Sequence, residues 1–269
     1  MDWNPHAVVP RMSSTVVAHE RGVEAARWVL ERLEDGDLDR RLLLLEWVRL
    51  LLERAPLIEP LGLKDILLRR ASDPVAEVAN KVTLCLAKAI EADRDFGHQL
   101  ALRLHEREET LVRRAMADVL TRLFRRLTWD ALPLLDDMLT SDDEGVLAAA
   151  SATVGDVKYL DKEQWADRLR QLADHPLAIV RRNLVPNLRE YIEFDPADSR
   201  GLFHQLWKDG DEVVRTRLRE LMLRMEEVAP DRFAAQVKAL HEVQADLGPL
   251  WEPLALRRAE RSQAWQAWL

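Results

Sequence analysis

The chain has 269 residues, 48% of them hydrophobic and 32% charged, with a formal net charge of −8. That balance excludes a disordered chain, and the surplus of acid disfavours a general nucleic-acid binder, which must neutralise phosphates. A single cysteine, Cys85, excludes an internal disulfide and a cysteine-based metal site.

Residues 1–19, with Pro5, Pro10, Ser13 and Ser14, read as an irregular N-terminal arm. They have neither the basic start nor the apolar run of a signal peptide. The apolar block Leu42–Leu45 is interrupted by Glu46, Arg49 and Glu53, so it does not make a membrane span. A cytoplasmic location and no membrane partner are the expectation.

From residue 20 onward the pattern is helical. A first pair of helices is expected near Glu20–Glu34 and Leu38–Arg54, forming an N-terminal capping pair over 20–56. Five regular units follow over 57–228. Val78, Val112, Val146, Val180 and Val214 lie 34 residues apart. The residues four further on are Val82, Met116, Ala150, Leu184 and Leu218; eight further on, Leu86, Leu120, Val154, Leu188 and Met222; eleven further on, Ala89, Leu123, Val157, Tyr191 and Met225. These steps trace one stripe of an α-helix, repeated at a single period, so the chain reads as an array of helical hairpins. Leu44, Val48 and Leu52 fall one period earlier and carry the stripe into the first pair.

Each hairpin has an A helix and then a B helix bearing the index valine. In the Val180 unit, A starts near Asp161 or Lys162 and buries Trp165, Leu169, Leu172 and Ala173. Pro176 opens the turn and B runs from about Leu177 to Ile192. In the Val214 unit, Asp209-Gly210-Asp211 is the turn and B runs from about Glu212 to Glu227. Acidic residues begin most B helices (Asp73, Glu108 with Glu109, Asp142 with Asp143, and Asp211), where a carboxylate caps free amides and complements the dipole. A C-terminal capping pair over 229–269 is expected as helices near Asp231–Asp246 and Glu252–Leu269, with Pro249 and Pro253 breaking the register. Residues 20–269 thus form one domain. Its fold class is all-α, a right-handed α-solenoid of about seven helical hairpins with a 34-residue period.

Val112-Arg113, Val180-Arg181 and Val214-Arg215 begin three B helices alike, and Asp73 and Asp209 stand five residues before their index valines. This resembles HEAT repeats, in which a turn aspartate and a Val-Arg pair form a ladder between adjacent units. The resemblance covers most of the chain. It departs where Arg107, Ser141 and His175 replace the aspartate and where Ala79 and Leu147 replace the arginine. It implies a structural role for Arg113, Arg181 and Arg215, and a concave surface lined by B helices.

Positions two, six, nine and thirteen after each index valine point away from the stripe. On that open face Arg114, Arg122, Arg125, Arg182 and Arg189 form a candidate groove patch; the alternative is a solvated face with local pairs such as Arg189 with Glu193. Trp265 and Trp268, three apart on the last helix, form a candidate partner-docking face, the alternative being packing on the preceding helix. Trp47, Trp165 and Trp207 are expected in the core, and Cys85 as a small buried hydrophobe. His98 and His105 are about 10.5 Å apart along one helix, too far to share a metal ion. No catalytic motif or cofactor-binding motif is present, and no catalytic residue, metal or cofactor is expected.

Three functions remain open. The first is a non-catalytic scaffold or adaptor that binds another protein on its concave surface. The second is nucleic-acid binding, since the chain is similar in architecture to the HEAT-like DNA alkylation repair glycosylases, which use a groove lined by Arg and Lys with Trp and Asp at the catalytic position. Trp207 with Asp211 has that flavour of spacing, although Asp211 also begins a B helix. The third, carried by resemblance alone, is a bilin lyase or isomerase, since short HEAT-type repeats occur in phycobilin lyases. Replacing Val180 or Leu184 by Asp is expected to unfold the array or its central units, while Arg182→Glu leaves stability nearly unchanged; urea denaturation distinguishes them, and the reverse order would show that the faces are misassigned.

Overall fold

The computed structural model describes the backbone of residues 20–34 and 37–268 and the side chains of 22–34 and 37–260; the arm at 1–19 lies outside the described residues. Every regular element among them is a helix. The chain divides into two compact units, one through Ala150 and one from Ser151.

The first unit holds α1 (Glu20–Glu34), α2 (Leu38–Leu51), the short α3 (Ala55–Ile58), α4 (Leu63–Ala71), α5 (Ala76–Thr83), α6 (Leu86–Ala92), α7 (Arg94–His105), α8 (Thr110–Leu127), α9 (Leu132–Met138) and the start of α10 (Glu144–Thr153). The helices alternate as A and B. B packs on B (α2 on α5, α5 on α8), and A on A (α4 on α7). The stripe read from the period is the seam: Leu44, Val48, Val78, Val82, Leu86, Val112, Met116, Leu120, Val146 and Ala150 are all fully buried. Burial of each large side chain contributes about 1.5–3 kcal/mol, so the seam is the main source of stability.

Aspartates close the helix starts as their short side chains allow. Asp37 accepts from the Arg40 amide at 3.1 Å, Asp93 from the Phe96 amide at 3.0 Å and Asp143 from the Val146 amide at 3.0 Å. Glu109 stands at the start of α8 without capping it, its carboxylate being taken by Arg107. The second B helix is broken between α5 and α6, where the buried Thr83 hydroxyl donates to the Asn80 carbonyl at 2.7 Å. After the break, α6 and α7 meet closely at Gly97. A Cβ there would lie 2.4 Å from a side-chain carbon of Ile90 and 2.6 Å from its backbone.

The second unit holds α11 (Lys162–Ala173), α12 (Ala178–Leu184), α13 (Leu188–Phe194), α14 (Asp198–Trp207), α15 (Glu212–Val228), α16 (Pro230–Glu242) and α17 (Gly248–Trp268), with 3-10 segments at Val154–Tyr159 and Val185–Asn187. Within this unit the stripe residues Val154, Val157, Val180, Leu184, Leu188, Tyr191, Val214, Leu218 and Met222 are likewise all fully buried. The start expected near Asp161 or Lys162 is capped by Asp161, which accepts from the Gln164 amide at 2.9 Å. Asp211 caps α15 by accepting from the Val214 amide at 3.0 Å.

Three expected helices differ. The B helix drawn as one piece from Leu177 to Ile192 is split into α12 and α13 by Pro186, which supplies no N–H to the Arg182 carbonyl. Arg217 of the next B helix donates to that carbonyl at 3.0 Å. The helix expected at Asp231–Asp246 ends at Glu242, and the last helix begins at Gly248 and runs through Pro253. Tyr191 puts a phenol in an otherwise apolar seam. Its hydroxyl donates to the Asp198 carboxylate and accepts from Arg170 at 2.9 Å, while its ring meets Trp165 edge-on at 5.7 Å.

Gly97→Ala is expected to destabilise by about 1–3 kcal/mol, because the new methyl would have to displace a helix backbone. Urea denaturation measures this, and an unchanged midpoint would contradict the close approach.

Candidate functional site

The open face lies where the stripe's opposite side predicts. Six residues after each index position stand Leu50, Leu84, Asp118, Ala152, Pro186 and Glu220, and all are exposed. In the first unit this row contains two leucines on adjacent B helices, Leu50 (43% exposed) and Leu84 (51%). Sequence reasoning followed the cations and passed over these two; the signal was an apolar residue at one register position of a face that should be polar.

The five arginines of the patch divide by what they touch. Arg114 makes a two-pronged pair with Asp143, both contacts at 2.9 Å. Arg182 does the same with Asp211, at 2.9 and 2.5 Å. In each case the arginine stands two after its index valine and the aspartate three before the next, so the pair is one rung repeated. Such forks match guanidinium to carboxylate in geometry as well as charge. The caps Asp143 and Asp211 therefore serve two masters: their own helix start and the preceding B helix. Arg114 holds the Asp143 carboxyl down to about 2, and Arg182 holds Asp211 lower still.

Arg122, Arg125 and Arg189 are exposed and form no ion pair among the described residues. Arg122 and Arg125 share α8 in the first unit; Arg189 is in α13 of the second. Trp265 and Trp268 fall within α17, and their side chains lie outside the described residues.

A second set of rungs is half-buried. Arg181 grips Asp209 with Nε at 2.6 Å and Nη2 at 2.9 Å, and donates to the His175 carbonyl at 2.6 Å. Arg215, one unit on, donates to the Asp209 carbonyl at 2.5 Å. In the first unit Asp73 takes Arg41 at 2.6 and 2.8 Å and Arg70 at 2.8 Å. Arg107, where the turn aspartate is replaced, reaches back to the Ala71 and Asp73 carbonyls at 2.9 and 2.8 Å. Arg113 instead meets Asp137 at 3.3 Å.

The remaining chemical candidates are built into the structure. Cys85 is buried with its Sγ 3.8 Å from the Leu45 carbonyl, and burial pushes its thiol up to about 12. His105 pairs with Asp137 at 3.2 Å, and burial holds its imidazole below the usual range. The Trp207 indole donates to the Asp246 carbonyl at 3.0 Å, and Asp211 is committed to Arg182 and its cap. Among the described residues no three acidic, His or Cys side chains are placed to hold a metal, and no helix is long and apolar enough to cross a membrane.

No family model and no curated protein matches the chain. Solved structures do. An engineered protein is similar over 95% of this chain and 73% of its own, with TM-score 0.51 and 16% identity. A designed armadillo repeat protein covers 80% of this chain and 99% of its own, with TM-score 0.47 and 16% identity. Another engineered protein covers 87% and 98%, with TM-score 0.45 and 16% identity. The chain is an all-α helical-repeat protein. The likeness concerns the fold alone, since the identities are low.

The half-buried rungs give a pH dependence with a definite sign. The Arg181 guanidinium holds the Asp209 carboxyl below the usual carboxylate range, against the effect of burial. A carboxyl lowered on folding stabilises above its unfolded value of about 3.9, and the gain is lost as pH falls further. Unfolding midpoints in urea are therefore expected to be level from about pH 5 to 7 and to drop below about pH 4, with a shallower drop in Arg181→Ala. Parallel curves for the two proteins would contradict the assignment. The geometry also revises the expectation for Arg182→Glu: the new carboxylate would face Asp211, so the variant is expected to be modestly less stable than wild type in urea.

Proposed function

We propose that this chain is a non-catalytic binding scaffold of HEAT-like build, acting in the cytoplasm, whose open B-helix face engages another protein. One observation carries the reading. In the first unit Leu50 and Leu84 are exposed at the same register of adjacent B helices, and α8, which packs on α5, presents Arg122 and Arg125 without ion pairs among the described residues. Exposed apolar side chains bordered by uncommitted arginines are the composition of a protein interface centre. Arg114 and Arg182 belong to the framework of the fold in this reading, and Arg189 is the corresponding uncommitted cation of the second unit. The tryptophan pair Trp265 and Trp268 is proposed as a further docking face on the sequence pattern alone.

Nucleic-acid binding is the competing reading. The commitments of Trp207 to Asp246 and of Asp211 to Arg182 weigh against a base-excision site built on that pair.

The test is affinity capture from native-host extract, with and without nuclease. Wild type is compared with Leu50→Glu/Leu84→Glu and with Arg122→Glu/Arg125→Glu. All four substituted positions are exposed, so thermal unfolding should be nearly unchanged. A protein retained by wild type after nuclease and lost roughly tenfold in both variants supports the reading. Capture that is equal in all three proteins, or that disappears with nuclease, contradicts it.

A further inference from the structure

The second unit contains a cleft of about 430 Å³ lined by Trp207, Lys208, Glu212, Arg215, Arg219, Asp246 and Pro249. Its volume is that of small-molecule sites, typically about 300–1,000 Å³. Arg215 serves the framework through the Asp209 carbonyl, but the charged groups of Lys208, Glu212, Arg219 and Asp246 make no ion pair with a neighbouring repeat among the described residues. Lys208 is exposed and has no ion pair among the described residues. Arg215 and Arg219 converge on one carboxylate, that of Glu212.

Both guanidinium groups are fixed from behind. Arg215 Nη1 donates to the Asp209 carbonyl at 2.5 Å, in a turn anchored by the buried Asp209. Arg219 Nε donates to the Arg215 carbonyl at 3.3 Å and Nη2 to the Thr216 hydroxyl at 2.9 Å. The Glu212 side chain, by contrast, is 62% exposed. Asp246, the other acid, has its carbonyl taken by the Trp207 indole at 3.0 Å and its carboxylate by the Gly248 amide at 2.9 Å. Three cations thus face two carboxylates, and only one of those carboxylates, the exposed Glu212, which also accepts from the Thr216 hydroxyl at 3.3 Å, meets the arginines. Trp207 and Pro249 supply the apolar walls.

We propose that this cleft binds a small organic oxyanion, a phosphate or carboxylate group carried on a flat apolar body, at the arginine donors that Glu212 occupies. The anion takes the forked donors of Arg215 and Arg219 and the ammonium of Lys208; the apolar body lies between Trp207 and Pro249. Glu212 turns out to solvent as the anion enters. It is a competitor for the ligand's donors, and its removal strengthens binding. A merely structural set of surface ion pairs makes the opposite prediction, since loss of Glu212 would then leave nothing gained.

Isothermal titration of the full chain with phenyl phosphate, inorganic phosphate and phenol tests this. Phenyl phosphate should bind more tightly than inorganic phosphate, and phenol should not bind. Glu212→Gln should tighten phenyl phosphate binding about two- to fivefold, the factor that corresponds to one exposed ion pair. Arg219→Gln should weaken it roughly tenfold. Lys208→Gln, which alters no framework contact, should weaken it as well and stands in if Arg219→Gln fails to fold. Arg224→Gln, on the same helix and outside the cleft, should bind as wild type does. No heat with phenyl phosphate, equal binding of phenol, or unchanged or weaker binding by Glu212→Gln would overturn the proposal.

Discussion

Each B helix must bury one stripe against its neighbours on both sides, and this requirement shapes nearly everything else in the molecule. A helix that packs on two flanks can spare only the face between them for solvent or for a partner. The stripe residues are Val, Leu, Met and Ala, of differing size, yet they are all but inaccessible in every unit. Bulk lost at one position, as at Ala150, and bulk gained, as at Tyr191, are absorbed locally. Tyr191 shows the cost of departing from the rule: its hydroxyl needs both Asp198 and Arg170 to be satisfied within the seam.

Polar chemistry is then arranged around the seam in two tiers. Close to it, Asp73 and Asp209 collect arginines from two units and fasten turn carbonyls, so that charge and hydrogen-bond needs are met together. Farther out, Arg114 and Arg182 clamp the aspartates that start the following B helices. One aspartate thereby caps a helix and receives a guanidinium, which ties local helix initiation to the packing of the next repeat. Among the described residues Arg122, Arg125 and Arg189 form no ion pair on the open face, and Arg54, Arg200 and Arg224 form none elsewhere.

The fold was legible because a 34-residue period and a 3.6-residue period coincide over five units. Helix starts were legible wherever an aspartate preceded the index valine by a few positions, as at Asp143 and Asp211. The breaks were less so. Pro186 announces one, but the loss at Thr83 depends on a hydroxyl turning back to Asn80, which a propensity argument does not foresee. The candidate site was legible as a face and illegible as a list. Arg114, Arg122, Arg125, Arg182 and Arg189 look alike in sequence. Whether one of them is committed depends on an aspartate some 29 residues away. Leu50 and Leu84 were within reach of the same period and were missed because attention followed charge.

Single-cysteine scanning tests the face assignment most directly. Cysteines are placed in turn at 82, 116 and 218, in the seam, and at 84, 118 and 220, on the open face, with thiol labelling measured in the native protein. The buried Cys85 serves as the unreactive internal standard. The account predicts rapid labelling at 84, 118 and 220 and protection at 82, 116 and 218 until the protein is unfolded. Fast labelling of the native protein at 82, 116 or 218, or a pattern that changes from one repeat to the next, would contradict it.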